Sequence, residues 1–220
     1  NNAIIPASTM KLVTTATALE MLGPDSKFKT TLDIDGTINS DSILNGNLYI
    51  RGGGDPTLGS SVFPDSTFLI KWVNAVKQSG IKKINGKVIA DASLYDNQGI
   101  NPKWLWEDLG NYYASGAYGI SYKDNTYALQ LRSGTPGTTP EIIGINPEIP
   151  DIQFENNLKS TTIKYDSAYI YGIPTMNIRT LYGEIPANRS SFFIKGDIPR
   201  PGLLLARDFT GTLNASGISI

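Results

Sequence analysis

Helical spacing is confined to three stretches of this chain, and between them Gly, Asn, Asp and Pro cut the sequence into short alternating runs. That texture restricts the fold to a mixed one, α+β, with few helices carried on much β-structure. In the first stretch Ser8 caps or begins a helix, and Met10, Val13, Ala16, Leu19 and Leu22 recur at three- and four-residue spacing. Gly23-Pro24 stops it. Leu12, Ala18 and Met21 widen its apolar surface, so the spacing predicts a mostly buried helix over 8–22. The second helix is predicted through Phe68, Trp72, Val73 and Val76, with Gly80 as its stop. The third runs through Leu203, Leu204, Arg207 and Leu213, weakened by Gly211 and closed by Gly217. Strands are expected from about residue 26, with Asn45-Gly46 as a hairpin turn, then over 81–93 and in short pieces from 126 to 196.

Composition narrows the chemistry. Nineteen basic residues face twenty acidic ones without a run of like charge, which leaves no electrostatic footprint for nucleic acid or an anionic membrane. No apolar stretch reaches the length of a membrane span, so no transmembrane segment is expected, and nothing at the start resembles a signal peptide. Cysteine and histidine are both absent, which removes thiol nucleophiles, disulfides, Cys/His zinc sites and any Ser-His-Asp triad. A serine nucleophile here needs lysine, a carboxylate, tyrosine or an outside group as its base.

Ser-x-x-Lys occurs three times, as Ser8/Lys11, Ser26/Lys29 and Ser79/Lys82. Roughly one copy is expected by chance in a chain of this length. Residues three apart meet on a helix but point to opposite faces of a strand. Ser26/Lys29 enters a strand-like run, and Lys82 lies beyond the Gly80 stop. Only Ser8/Lys11 falls in the first turn of a helix, where free amides favour an alkoxide and apolar packing favours a neutral lysine. A serine cap followed by a solvated lysine explains the same two residues.

The wider wording decides further. "PASTMKLVTTATALEMLGPDSKFKT", "LNGNLYIRGGGDPTL", "WLWEDLGNYYASGAYGISYKDN" and "AYIYGIPTMNIRTLYGEIPANRSSFFIKGDIPRP" together resemble the D-alanyl-D-alanine carboxypeptidase/endopeptidase family of low-molecular-weight penicillin-binding proteins, the class C or S13 group. The resemblance implies Ser8 as acyl-accepting nucleophile and Lys11 as general base. It implies Asp108 as a contact to the amino group of the substrate's diamino acid, and Tyr113 as an aromatic wall beside it. The substrate would be the peptidoglycan stem peptide and β-lactams would form slow acyl adducts, in the periplasm or at the outer cell surface, with no cofactor and no metal.

By the same resemblance residues 1–25 hold the nucleophile helix of a transpeptidase-like domain and 26–220 form a β-rich insertion, within which the short strand runs over about 126–196 read as a smaller β subdomain. Trp104, Trp106, Leu109 and Tyr112 also read as a plain core patch, with Asp108 starting the next turn. Gly52-Gly53-Gly54 reads as a tight turn, since it has neither the lysine nor the helix a phosphate loop needs.

The family's Ser-x-Asn and Lys-Thr-Gly or Lys-Ser-Gly motifs occur nowhere in the sequence. Tyr95 to Asn97 and Arg132 to Gly134 imitate them within the expected insertion and read as turns. The remaining catalytic segment is therefore expected outside these residues. A β-lactamase or esterase with the same Ser-Lys pair, and a non-catalytic peptidoglycan-binding relative, are the alternatives.

Overall fold

The structure, a computed structural model, describes residues 5–96 and 98–220, so the Asn97 end of the Tyr95 to Asn97 segment lies outside the described residues. A 3-10 turn, Ala7–Thr9, leads into α1 (Met10–Leu22). Gly23, at φ 80°, ends the helix with its N–H on the Leu19 carbonyl, the left-handed stop that glycine adopts without a Cβ penalty. The expectation of a mostly buried helix is corrected. No residue of α1 is buried, and Leu12 and Met21 remain 72% and 78% exposed. Periodicity reported an apolar surface, but nothing among the described residues packs on it.

β1 (Thr31–Ile34) and β2 (Thr37–Ile38) fold back on β3 (Ile43–Asn45) and β4 (Leu48–Arg51) in one register, from Thr31 opposite Arg51 to Ile38 opposite Leu44. The hairpin turn is Asn39–Ser42, where the Asn39 N–H reaches the Ile43 carbonyl at 3.0 Å. Asn45-Gly46 is therefore not the hairpin turn. It lies at a break between β3 and β4 in the middle of the paired run.

Helix α2 (Phe68–Gln78) carries the chain over to β5 (Lys83–Ile84) and β6 (Val88–Asp91), which lie parallel to β3 and β4. Parallel neighbours need such a crossover. α2 buries Val73 and Val76, two of the residues whose spacing predicts it, and sets Trp72 edge-on to Phe209 at 5.4 Å.

β7 (Thr126–Arg132) is the middle strand of an antiparallel sheet between β13 (Phe192–Asp197) and β8 (Glu141–Asn146). It alternates as a half-buried strand should, with Tyr127, Leu129 and Leu131 inward. β12 (Ile178–Pro186) pairs with β9 (Gln153–Asn156), β10 (Lys159–Thr161) and β11 (Ser167–Tyr171).

α3 (Pro201–Ala215) closes the described fold, with Pro at its first position, where the missing N–H costs nothing. Its inward face is Leu204, Leu205, Ala206, Phe209 and Leu213. Leu203 and Arg207, through which the predicted helix runs, are exposed. One buried cluster runs from Leu44 and Ile50 through Tyr127, Leu129 and Leu181 to Phe209, so the two kinds of sheet and both later helices share a core.

Candidate active site

Ser8 sits in the 3-10 turn before α1 and Lys11 in its first turn, and Lys11 Nζ donates to Ser8 Oγ at 3.5 Å. Helical rise and rotation place the two side chains on one face. The residues at the N-cap positions of the 3-10 turn and of α1 are Pro6 and Thr9, so Ser8 does not occupy the cap, while Lys11 is solvated as the alternative reading expected. Both residues are exposed, so the apolar packing expected around Lys11 is absent, for the same reason that α1 is uncovered.

The other two pairs do not present a serine and lysine on one helical face. Lys29 lies just before β1. Ser79 ends α2 with its hydroxyl on the Val76 carbonyl, and the Lys82 N–H reaches the Ser42 carbonyl.

Asp108 ends the 3-10 turn Trp106–Asp108 and Tyr113 lies in the next one, Tyr112–Ala114. Partial burial of its ring and the adjacent carboxylate of Asp108 push the Tyr113 hydroxyl above its ordinary range. The surrounding aromatics do not form a core. Trp106 is 69% exposed, Trp104 and Tyr112 are exposed too, and the core-patch reading falls with them.

The loop is held from beneath by a residue the sequence reading passed over. Asn111 is buried, its Nδ2 donates to the carbonyls of Glu107 and Asp108 at 3.3 and 3.2 Å, and its Oδ1 accepts from the Ile170 N–H at 3.0 Å. Gly110 lets the backbones approach: a Cβ there would stand 2.4 Å from the Ile170 carbonyl oxygen. Neither residue carries a periodicity signal, so only the quoted wording around Asp108 pointed to this loop.

Beside the loop is a cavity of about 360 Å³, lined in part by Tyr112, Tyr113, Tyr165, Asp166, Tyr169 and Lys195. Among the described residues no hydrogen bond or salt bridge joins Ser8 or Lys11 to Asp108 or Tyr113, so the four candidates form two separate pairs. Among the described residues no group of three acidic side chains is placed to hold a metal ion, and no helix is long and apolar enough to cross a membrane.

Known proteins share both sequence and shape with this chain. The family model described as D-Ala-D-Ala carboxypeptidase 3 (S13) matches residues 1–220. D-alanyl-D-alanine carboxypeptidase DacB of Haemophilus influenzae is 31% identical over 144 residues, covering 65% of this chain and 28% of its own. The D-alanyl-D-alanine carboxypeptidase of Actinomadura sp. (strain R39) is 23% identical over 224 residues, covering 99% of this chain and 40% of its own.

The crystal structure of penicillin binding protein 4 (dacB) from H. influenzae superposes with a TM-score of 0.78 at 25% identity, covering 99% of this chain and 47% of that one. A second structure of that protein, complexed with a β-lactam, matches in fold with a TM-score of 0.70 at 22% identity. The chain thus spans less than half the length of these relatives.

Proposed function

This chain belongs to the D-Ala-D-Ala carboxypeptidase 3 (S13) family, and from that premise we propose that it is part of a serine-type D-Ala-D-Ala carboxypeptidase/endopeptidase acting on peptidoglycan stem peptides. The observation that carries the proposal is the Lys11 Nζ to Ser8 Oγ hydrogen bond at the start of α1. Lys11 takes the Ser8 proton as Oγ attacks the carbonyl of the penultimate D-alanine. The terminal D-alanine leaves as an amine that takes up a proton, and water then releases the acyl group from Ser8.

Asp108 pairs with the ammonium of the substrate's diamino acid and Tyr113 walls that subsite. A β-lactam acylates Ser8 in the same way and deacylates slowly, consistent with the β-lactam complex of the structural relative. The substrate places the enzyme in the periplasm or at the outer cell surface. Residues 1–25 then open a transpeptidase-like domain and 26–220 form its β-rich insertion, with 126–196 as the smaller β unit. The Ser-x-Asn and basic-strand motifs, absent from these residues, are supplied from outside them, and acyl transfer requires all three together.

The test is labelling of the longer protein with a fluorescent penicillin. Ser8→Ala is expected to abolish labelling, and Lys11→Ala to slow it by about 10² to 10⁴-fold with the fold intact. A label mapped to Ser26 or Ser79 overturns the assignment, and rapid loss of the label places the chemistry with the β-lactamases instead.

A further inference from the structure

The solvent face of the sheet around β12 carries a row of tyrosines that the proposed peptide chemistry does not use. Tyr169 of β11 lies directly opposite Tyr182 of β12, and Tyr171 projects to the same face two residues on. Tyr169 and Tyr171 stack at 6.4 Å with 20° between their planes, and Tyr171 meets Tyr182 edge-on at 5.7 Å. Tyr169 and Tyr182 remain 45% and 48% exposed.

The row continues into the site. Tyr169 also lines the cavity that Tyr113 shares. Glu155 and Glu184 stand on the same face, each accepting one hydroxyl at 3.1 Å, from Thr180 and Thr161, which leaves acceptor capacity free.

We infer that this face binds a neutral oligosaccharide, the glycan strand from which the stem peptide hangs. The three rings form one partly exposed aromatic cluster, and an aromatic ring offers an apolar surface with a negative face to the axial C–H groups of a sugar. The sugar's outward hydroxyls donate to Glu155 and Glu184. The continuity of the row with the Tyr113 cavity gives the glycan a course leading to the peptide subsite. Only the identity of the glycan rests on the function proposed above; the sugar-binding face does not.

The probe is a peptide-free β-1,4-linked N-acetylglucosamine hexamer, titrated calorimetrically against the full chain. Saturable binding is expected, weakened at least tenfold by Tyr171→Ala with Tyr182→Ala. Tyr182→Phe, which keeps the ring, is expected to retain most of it. Ser8→Ala is expected to bind the hexamer normally while losing penicillin labelling, so the sugar face and the catalytic assignment can fail separately. In the longer protein, turnover of a sugar-free peptide is expected to be unaffected by the tyrosine changes.

Absence of saturable binding in the wild type overturns the inference, as does unchanged binding in the double alanine variant. A change of oligomeric state in that variant, seen by sedimentation, assigns the face to a second copy of the chain and overturns it too.

Discussion

Arg179 is fully buried, and its charge is met by one carboxylate and three carbonyls. Nε and Nη2 reach Asp197 Oδ1 at 3.2 and 2.9 Å, while Nη1 donates to Ile173, Met176 and Ile178. One side chain thus ties β12 to β13 and organises the loop before β12. Burial holds the Asp197 carboxyl above its ordinary range even with Arg179 beside it. Removing the acid leaves a buried cation without its partner, so Asp197→Ala is expected to destabilise by about 3 to 5 kcal/mol. Replacing both residues, Arg179→Met with Asp197→Leu, is expected to cost much less in urea denaturation. In the proposed enzyme Asp108 is the functional counterpart, since only the peptide would present an ammonium for it to pair with. Asp108→Asn in the longer protein is expected to lower peptide turnover roughly ten- to a hundred-fold and to spare penicillin acylation. Equal losses toward a diamino-acid peptide and its acetylated analogue would make Asp108 structural. Ser8 and Lys11 are legible as candidates from the wider wording around them, since their spelling alone is common, whereas Arg179 and Asn111 carry no motif at all. A lone arginine or asparagine in a strand or loop reads as solvated until tertiary contacts enclose it.

The element that sequence reading described least well is the first sheet. Its register runs unbroken on both sides of a gap, and three glycines stand at that level, Gly36, Gly46 and Gly86. A Cβ on Gly86 would stand 2.0 Å from the Gly46 carbonyl oxygen, so Gly86→Ala must separate two strands. A loss of about 1 to 3 kcal/mol is expected. Asn45-Gly46 misled because a turn dipeptide and a strand break call for the same residues, and only the pairing partner tells them apart. The two later helices were legible because a long period repeats several times. Asp35 pins the break from the outer strand. The Asn47 N–H, Asn47 Nδ2 and the Tyr49 hydroxyl all donate to it and hold its carboxyl below the ordinary 3.8. A folded-state pKa below the unfolded one means that the stabilisation is complete above 3.8 and is lost as pH falls through the lower folded value. Thermal melts of Asp35→Asn are expected to show a lower melting temperature near neutrality and a shallower decline on acidification than the wild type. Parallel declines would remove Asp35 from that account.

At the scale of the whole molecule, the buried core begins at Leu44, and α1 lies outside it. Leu12, Val13, Leu19, Met21 and Leu22 all face solvent on a helix of 13 residues. Isolated helices of this length are marginal in water, and helix stability in proteins comes mainly from packing an apolar face. The sequence made the apolar face legible but not what covers it, because periodicity records that a surface is destined for burial and says nothing of its partner. In the proposed enzyme the covering surface comes with the segment that supplies the missing catalytic motifs, so nucleophile and fold are completed together. The consequence is measurable by comparing residues 1–220 with the longer protein. In the shorter chain, amides of α1 are expected to exchange with deuterium almost as fast as an unstructured peptide, while β7 and β12 stay protected. Leu19→Ala is expected to change its stability by less than about 0.5 kcal/mol, as for an exposed position. In the longer protein the same substitution is expected to cost about 2 to 5 kcal/mol, as for a buried leucine, and α1 is expected to be protected. Penicillin labelling of Ser8 should follow α1 protection, absent in the first case and stoichiometric in the second. Protection and labelling of α1 in residues 1–220 alone would show that these residues cover the helix and complete the site by themselves.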